Sequence, residues 1–136
     1  DVCSDPGTPE SIKRTALIWL GRIHFDAEEY DEALNCFEST VKFGGNAGAE
    51  SQFMISKIKY NLGDYESAES NIFTLVSDFS SYDEWKFKGF LLLVRTYIGL
   101  NDLFQARATA ESIMENVDVE WVQDACSDLM MEIEAM

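Results

Sequence analysis

The sequence has 136 residues, 46% of them hydrophobic and 12% aromatic, enough apolar side chain for one domain with a core of its own. Ten basic residues against twenty-five acidic ones leave a net charge of −15, a field that repels nucleic-acid phosphates and anionic lipid headgroups. No apolar run reaches the roughly 18 residues that membrane insertion needs, and Cys3, Cys36 and Cys126 lack the close spacing of zinc sites or redox dithiols, so neither a metal site nor a disulfide framework is expected.

Along the chain, apolar residues recur with helical spacing, and the two prolines and eight glycines fall mainly at breaks, so an all-α fold is expected. The polar start, Asp1 to Glu10, holds no hydrophobic signal core, and with no leading methionine the chain reads as a piece of a longer polypeptide. Residues 1–7 are expected to be a disordered or tag-like lead. Thr8-Pro9-Glu10 has the form of a helix start, with a hydroxyl cap, a proline whose missing donor does no harm there, and a carboxylate at the positive helix end.

The first predicted helix runs to about Phe25, with Leu17, Leu20, Gly21 and His24 on its packing face, where the imidazole is expected to be a satisfied core group. Its partner runs from about Tyr30 to Phe43 with Ala33, Phe37 and Val41 inward, and Gly44-Gly45-Asn46 breaks it. A second pair spans about Ala47 to Leu62 and Asp64 to Ser77, with Ile55, Ile58, Leu62, Ala68, Ile72 and Leu75 as core candidates. The third spans about Asp83 to Gly99 and Asp102 to Asn116, and its stretch Phe90 to Val94, apolar all round, is expected to be the best-protected part. A seventh helix over Val119 to Met136 places Val122, Ala125, Cys126, Leu129, Ile133 and Met136 on one stripe, a pattern suited to closing an array.

One stretch, Asn61-Leu62-Gly63-Asp64-Tyr65-Glu66-Ser67-Ala68, recurs in altered form as Phe25 to Ala33 and as Tyr97 to Ala106. The alanines that end the copies, Ala33, Ala68 and Ala106, stand 35 and then 38 residues apart. Leu20-Gly21, Tyr30, Ala33 and Phe37 in the first unit, Ser56, Tyr60, Gly63, Asp64, Tyr65 and Ala68 in the second, and Tyr97, Asn101, Asp102 and Ala106 in the third make the chain resemble the tetratricopeptide repeat family, whose unit is about 34 residues. His24 and Lys59 stand where that family usually has an aromatic, Val94 and Ala110 replace its small and aromatic residues, and no proline closes any unit. From Ala49 onward the sequence is similar to the C-terminal repeats of long tetratricopeptide proteins of Bacteroides-type bacteria. The resemblance implies a right-handed superhelical array of three hairpins, at about 8–45, 46–81 and 82–118, with a capping helix at 119–136. It also implies a C-terminal fragment of a non-catalytic protein-interaction scaffold, an exported or envelope-associated one being one option, while no residue encodes the compartment, bacterial cytoplasm or periplasm and envelope.

Nothing in the residues argues for catalysis. His24 is the one histidine, no glycine-rich phosphate loop follows a strand, and carboxylate pairs such as Glu28-Glu29 and Asp31-Glu32 read as solvated helix faces, so no cofactor or metal is expected. Eight of the ten basic residues lie on the first helices of the pairs: Lys13, Arg14, Arg22, Lys57, Lys59, Lys86, Lys88 and Arg95. Arg22, Lys57 and Arg95 share one register, eleven residues before each alanine. Ile18, Phe53 and Leu91 lie four residues before those cations and Phe25, Tyr60 and Ile98 three after, on the same helical stripe. The resemblance places the first helices along a concave groove, and the candidate site is therefore Ile18, Arg22, Phe25, Phe53, Lys57, Tyr60, Lys88, Leu91 and Arg95. Its expected occupant is an acidic-hydrophobic segment of a partner protein, with no nucleic acid and no membrane insertion. Two other readings compete: the three cations Arg22, Lys57 and Arg95 merely neutralising local acids, Arg22 with Asp26 being the obvious case, and the chain serving as an assembly segment that stacks on neighbouring repeats without a ligand. The family's grooves that clamp a terminal carboxylate need polar or basic groups where Ile18, Met54 and Leu92 stand here, and Lys88 alone matches.

Overall fold

The computed structural model describes residues 10–136, which form seven α-helices: α1 (Glu10–Asp26), α2 (Tyr30–Val41), α3 (Gly45–Asn61), α4 (Tyr65–Asp78), α5 (Asp83–Gly99), α6 (Leu103–Asn116) and α7 (Glu120–Ala135). The expected lead 1–7, the cap at Thr8 and Pro9, and Cys3 lie outside the described residues.

The three hairpin turns are one structure made three times. Glu28, Gly63 and Asn101 each take a left-handed backbone, with φ of 60°, 80° and 59°. In each, the next amide donates back across the helix end: Glu29 to the His24 carbonyl at 2.8 Å, Asp64 to Lys59 at 2.9 Å and Asp102 to Tyr97 at 2.9 Å. These bonds satisfy carbonyls that a helix terminus leaves open. Only the middle turn places glycine where the absence of a Cβ removes the cost of that conformation. Asp64 and Asp102 then cap the following helices by accepting from the Ser67 and Gln105 amides, while Glu29 gives α2 no side-chain cap. Its carboxylate instead takes a hydrogen bond from His24 Nδ1 at 2.8 Å. The expected core imidazole is thus a half-buried group tied to its own turn.

Five residues past each left-handed turn, Ala33, Ala68 and Ala106 are fully buried, and their lack of bulk lets the paired helices close. The longer second spacing has a simple origin: α4 is 14 residues against 12 for α2, and the connection after it holds one residue more.

Successive hairpins pack second helix against next first helix: α2 on α3, α4 on α5, α6 on α7. The approach is close enough that a Cβ on Gly89 would stand 2.7 Å from Leu75 Cδ2. The first helices also touch one another, α1 with α3, α3 with α5 and α5 with α7, whereas α2, α4 and α6 make no such mutual contact. A stack joined tightly along one layer and splayed along the other is curved, with the first helices on its inner side.

The buried apolar residues form two clusters. A small one joins Ala33, Phe37, Ile55 and Ile58, and a larger one runs from Ile72 through Leu92, Leu93 and Val94 to Leu129 and Ile133. Three core expectations are corrected. Leu62 is exposed because it sits in the turn; Met136 is exposed because α7 ends at Ala135, so its stripe stops at Ile133; and Phe90 and Leu91 are only partly covered because α5 shows both flanks to clefts.

Candidate functional site in the clefts between first helices

Each pair of adjacent first helices encloses a cleft on the inner layer. Between α1 and α3 it measures about 250 Å³ and includes Ile18, Trp19, Arg22 and Glu50. Between α3 and α5 it measures about 180 Å³ and is lined by Phe53, Lys57, Lys88, Leu91, Leu92 and Arg95. A third, about 420 Å³, joins the start of α5 to the start of α7 through Phe87, Lys88, Val119 and Trp121.

Of the nine residues predicted for the site, the middle cleft therefore brings together five: Phe53, Lys57, Lys88, Leu91 and Arg95. Ile18 and Arg22 belong to the first cleft. Phe25 and Tyr60 line neither and sit at hairpin corners, with ring centroids 5.8 Å from Tyr30 and 5.5 Å from Tyr65 respectively, but Tyr60 still meets the middle cleft's cation, its ring centroid 5.6 Å from Lys57 Nζ.

The helical period explains the floor. Residues four apart on one face keep Phe53 beside Lys57 and Leu91 beside Arg95, so each cation rises from an apolar neighbour. Trp85, absent from the predicted site, contacts two of the lining residues: its ring lies 5.8 Å from Phe53, its indole N–H donates to Asn46 Oδ1 at 2.9 Å, and Lys88 Nζ stands 4.5 Å from its centroid. That last distance is a cation–π contact.

The cations differ in how they are neutralised. Arg22 donates through Nε and Nη2 to both oxygens of Glu50, each at 2.7 Å, and Glu50 is only 6% exposed. The competing reading of cations neutralised by acids thus holds for Arg22 and Arg95, but with acids of other helices: in place of an Arg22–Asp26 pair stands a bidentate bond across two helices, the stronger geometry for a guanidinium and a carboxylate. Glu50 was missed because its partner stands 28 residues away and nothing within its own helix marks it; the available signal was its register, the one that Lys88 holds a repeat later.

In the middle cleft, Lys88 meets Glu84 at 3.0 Å and Arg95 meets Glu132 at 3.4 Å, both exposed acids. Exposed pairs of this kind are worth about 0–1 kcal/mol and exchange partners readily. Among the described residues no carboxylate forms an ion pair with Lys57. Burial, with Arg95 adding repulsion, holds the Lys57 pKa below its usual value.

No group of His, Cys, Asp and Glu among the described residues is placed to hold a metal, and none of the described helices is long and apolar enough to cross a membrane. Cys126 is buried, its thiol donating to the Ala110 carbonyl, and burial pushes its pKa up, the opposite of a reactive thiolate.

Residues 49–72, from Ala49 in α3 to Ile72 in α4, match the family described as tetratricopeptide repeat. No curated protein matches the chain.

Proposed function

Starting from a chain that belongs with the tetratricopeptide-repeat proteins through residues 49–72, we propose that it is a non-catalytic scaffold whose inner layer holds a segment of a partner protein. Repeats of this family generally serve protein–protein interaction, and the coarse role follows from that; the trough as the place of binding is the added step. The observation that carries it is the middle cleft, where Phe53 and Leu91 provide an apolar floor under Lys57, Lys88 and Arg95. Such a surface suits an extended or helical segment carrying acidic and hydrophobic side chains; α2, α4 and α6 offer no such group of cations, and the apolar cleft of about 390 Å³ between α5 and α6 has no basic residue in its lining.

The test is selection of peptides from a random display library on the immobilised chain. The selected peptides should compete with one another, lose binding to the Phe53→Ser, Leu91→Ser variant, and bind normally to Phe104→Ser, which changes an 82% exposed side chain on α6. Enrichment of nothing, or peptides indifferent to the Phe53 and Leu91 changes, would remove the trough reading.

A second reading is favoured by one feature of α1. Ile12, Trp19 and Ile23 are 50%, 57% and 56% exposed, an apolar flank at the end of the array. It suits stacking on another helix, as the assembly role requires. Concentration-dependent association in sedimentation runs, abolished by Trp19→Lys, is the expected sign; a monomer at every concentration tested would leave this reading without support.

A further inference from the structure

The first and middle clefts are the same site in two states of charge. Repeat register equates Ile18 with Phe53, Arg22 with Lys57, and Glu50 with Lys88. In the first cleft the cation on the earlier helix is answered from the next one by a buried carboxylate, both of whose oxygens are used at 2.7 Å. In the middle cleft the position of that carboxylate holds a lysine, and Arg95 joins from the same helix. Three cations then line one small cleft, one of them without an ion pair among the described residues, inside a protein of net charge −15.

A half-buried lysine with no ion pair among the described residues, set beside two further cations whose own pairs are exposed, is favoured by the arrival of an anion. We propose that the α3–α5 cleft seats an acidic side chain of the partner segment, its carboxylate lying among Lys57, Lys88 and Arg95 and answering Lys57 as the Glu50 carboxylate answers Arg22 one repeat earlier. This rests on the trough reading above and sharpens it: the partner's acid enters the middle cleft alone, because Glu50 already closes the first. Apolar residues beside that acid rest on Phe53 and Leu91. The chemistry is that of an internal glutamate or aspartate, for which Glu50 is the built-in template, and not of a chain terminus.

Three synthetic peptides test it by backbone amide shifts in nuclear magnetic resonance and by calorimetry. One is acetylated and amidated and alternates glutamate with leucine; the second replaces glutamate by glutamine; the third is the glutamine peptide with a free terminal carboxylate. The glutamate peptide should bind, shift the amides around Lys57 and Arg95, and weaken as salt is added. The glutamine peptide should lose at least tenfold in affinity. Lys88→Glu, which rebuilds the first cleft's arrangement in the second, should abolish binding while leaving the melting temperature unchanged or higher. Lys42→Glu, the same charge change at the exposed end of α2, should not. Glu50→Gln should release Arg22 and add a second binding event at α1.

Glutamine and glutamate peptides binding equally would overturn the acid site while leaving the trough reading intact. Preference for the terminal carboxylate would overturn the side-chain assignment. Undiminished binding to Lys88→Glu would overturn the template argument even if Glu50→Gln fails to fold. Binding of none of the peptides, when library peptides do bind the trough, would overturn the acid site alone.

Discussion

The two ends of the array finish their outer faces in opposite ways. By register Trp19 and Ile23 of α1 correspond to Met54 and Ile58 of α3 and to Leu92 and Thr96 of α5. Ile58 and Thr96 are fully buried, Leu92 is 4% exposed and Met54 is partly buried, because α2 and α4 lie against them. No helix among the described residues lies on that flank of α1, and its apolar side chains stay in water. At the other end, α7 commits Val122, Cys126, Leu129 and Ile133 to the core and turns out Asp124, Asp128, Glu132 and Glu134, with Trp121 and Met131 as the exposed exceptions. Whether such a side chain stabilises the fold is thus decided by the neighbour, not by the residue.

Removing α7 gives the largest expected effect. Deleting residues 120–136 uncovers Ala110, Ile113 and Val117, and the shortened chain should lose cooperative melting or aggregate, as an array without its terminal cover does. An unchanged calorimetric transition would show that α7 is an appendage and that the two ends are alike. Ile58→Ala comes next, at about 2–5 kcal/mol in urea titration, because it empties a fully enclosed site in the smaller cluster.

Ala33→Leu, Ala68→Leu and Ala106→Leu should each cost about 1–3 kcal/mol by overpacking a hairpin crossing. Equal costs in all three would make the crossings equivalent along the array; a neutral result in all would break the alignment on which the register rests. Glu28→Gly should raise stability by about 0.5–1 kcal/mol, since it relieves a non-glycine residue of a left-handed backbone that Gly63 adopts freely. The smallest effect belongs to Ile23→Ala, within about 0.5 kcal/mol for the monomer. Set against its register partner Ile58, it isolates what the missing neighbour is worth. A cost near that of Ile58→Ala would mean that the α1 flank is covered in solution.

The helices were legible to within a residue or two because their limits depend on local chemistry. Gly63, Asp64 and Asp102 act within one turn of themselves, and Ala33, Ala68 and Ala106 mark crossings that any close-packed hairpin of this length needs. The apolar residue beside each cation was legible for the same reason: residues four apart on a helix, as Phe53 and Lys57 or Leu91 and Arg95 are, share a face wherever that helix goes. The sharing of a cleft by Lys57, Lys88 and Arg95 was only half visible. Lys88 is off the register of the other two, and nothing local distinguishes a lysine facing a cleft from one facing water.

What the sequence determined by itself is the set of short-range facts: seven helices, three like turns, the alanine crossings and the stripes of apolar and basic residues on the first helices. Each follows from backbone geometry or from side chains a turn apart. Only the tertiary structure decided which stripe meets which. It turned Arg22 from its own helix, where Asp26 was at hand, to Glu50 across the cleft. It left Lys57 without an ion pair among the described residues, drew Trp85 against Phe53, and exposed Ile12, Trp19 and Ile23. The physical reason is that charge pairing and burial belong to pairs of surfaces, and the partners here stand 28 to 38 residues apart in sequence, as Arg22 and Glu50 or Lys57 and Arg95 do, where no periodicity of a single helix can bring them together.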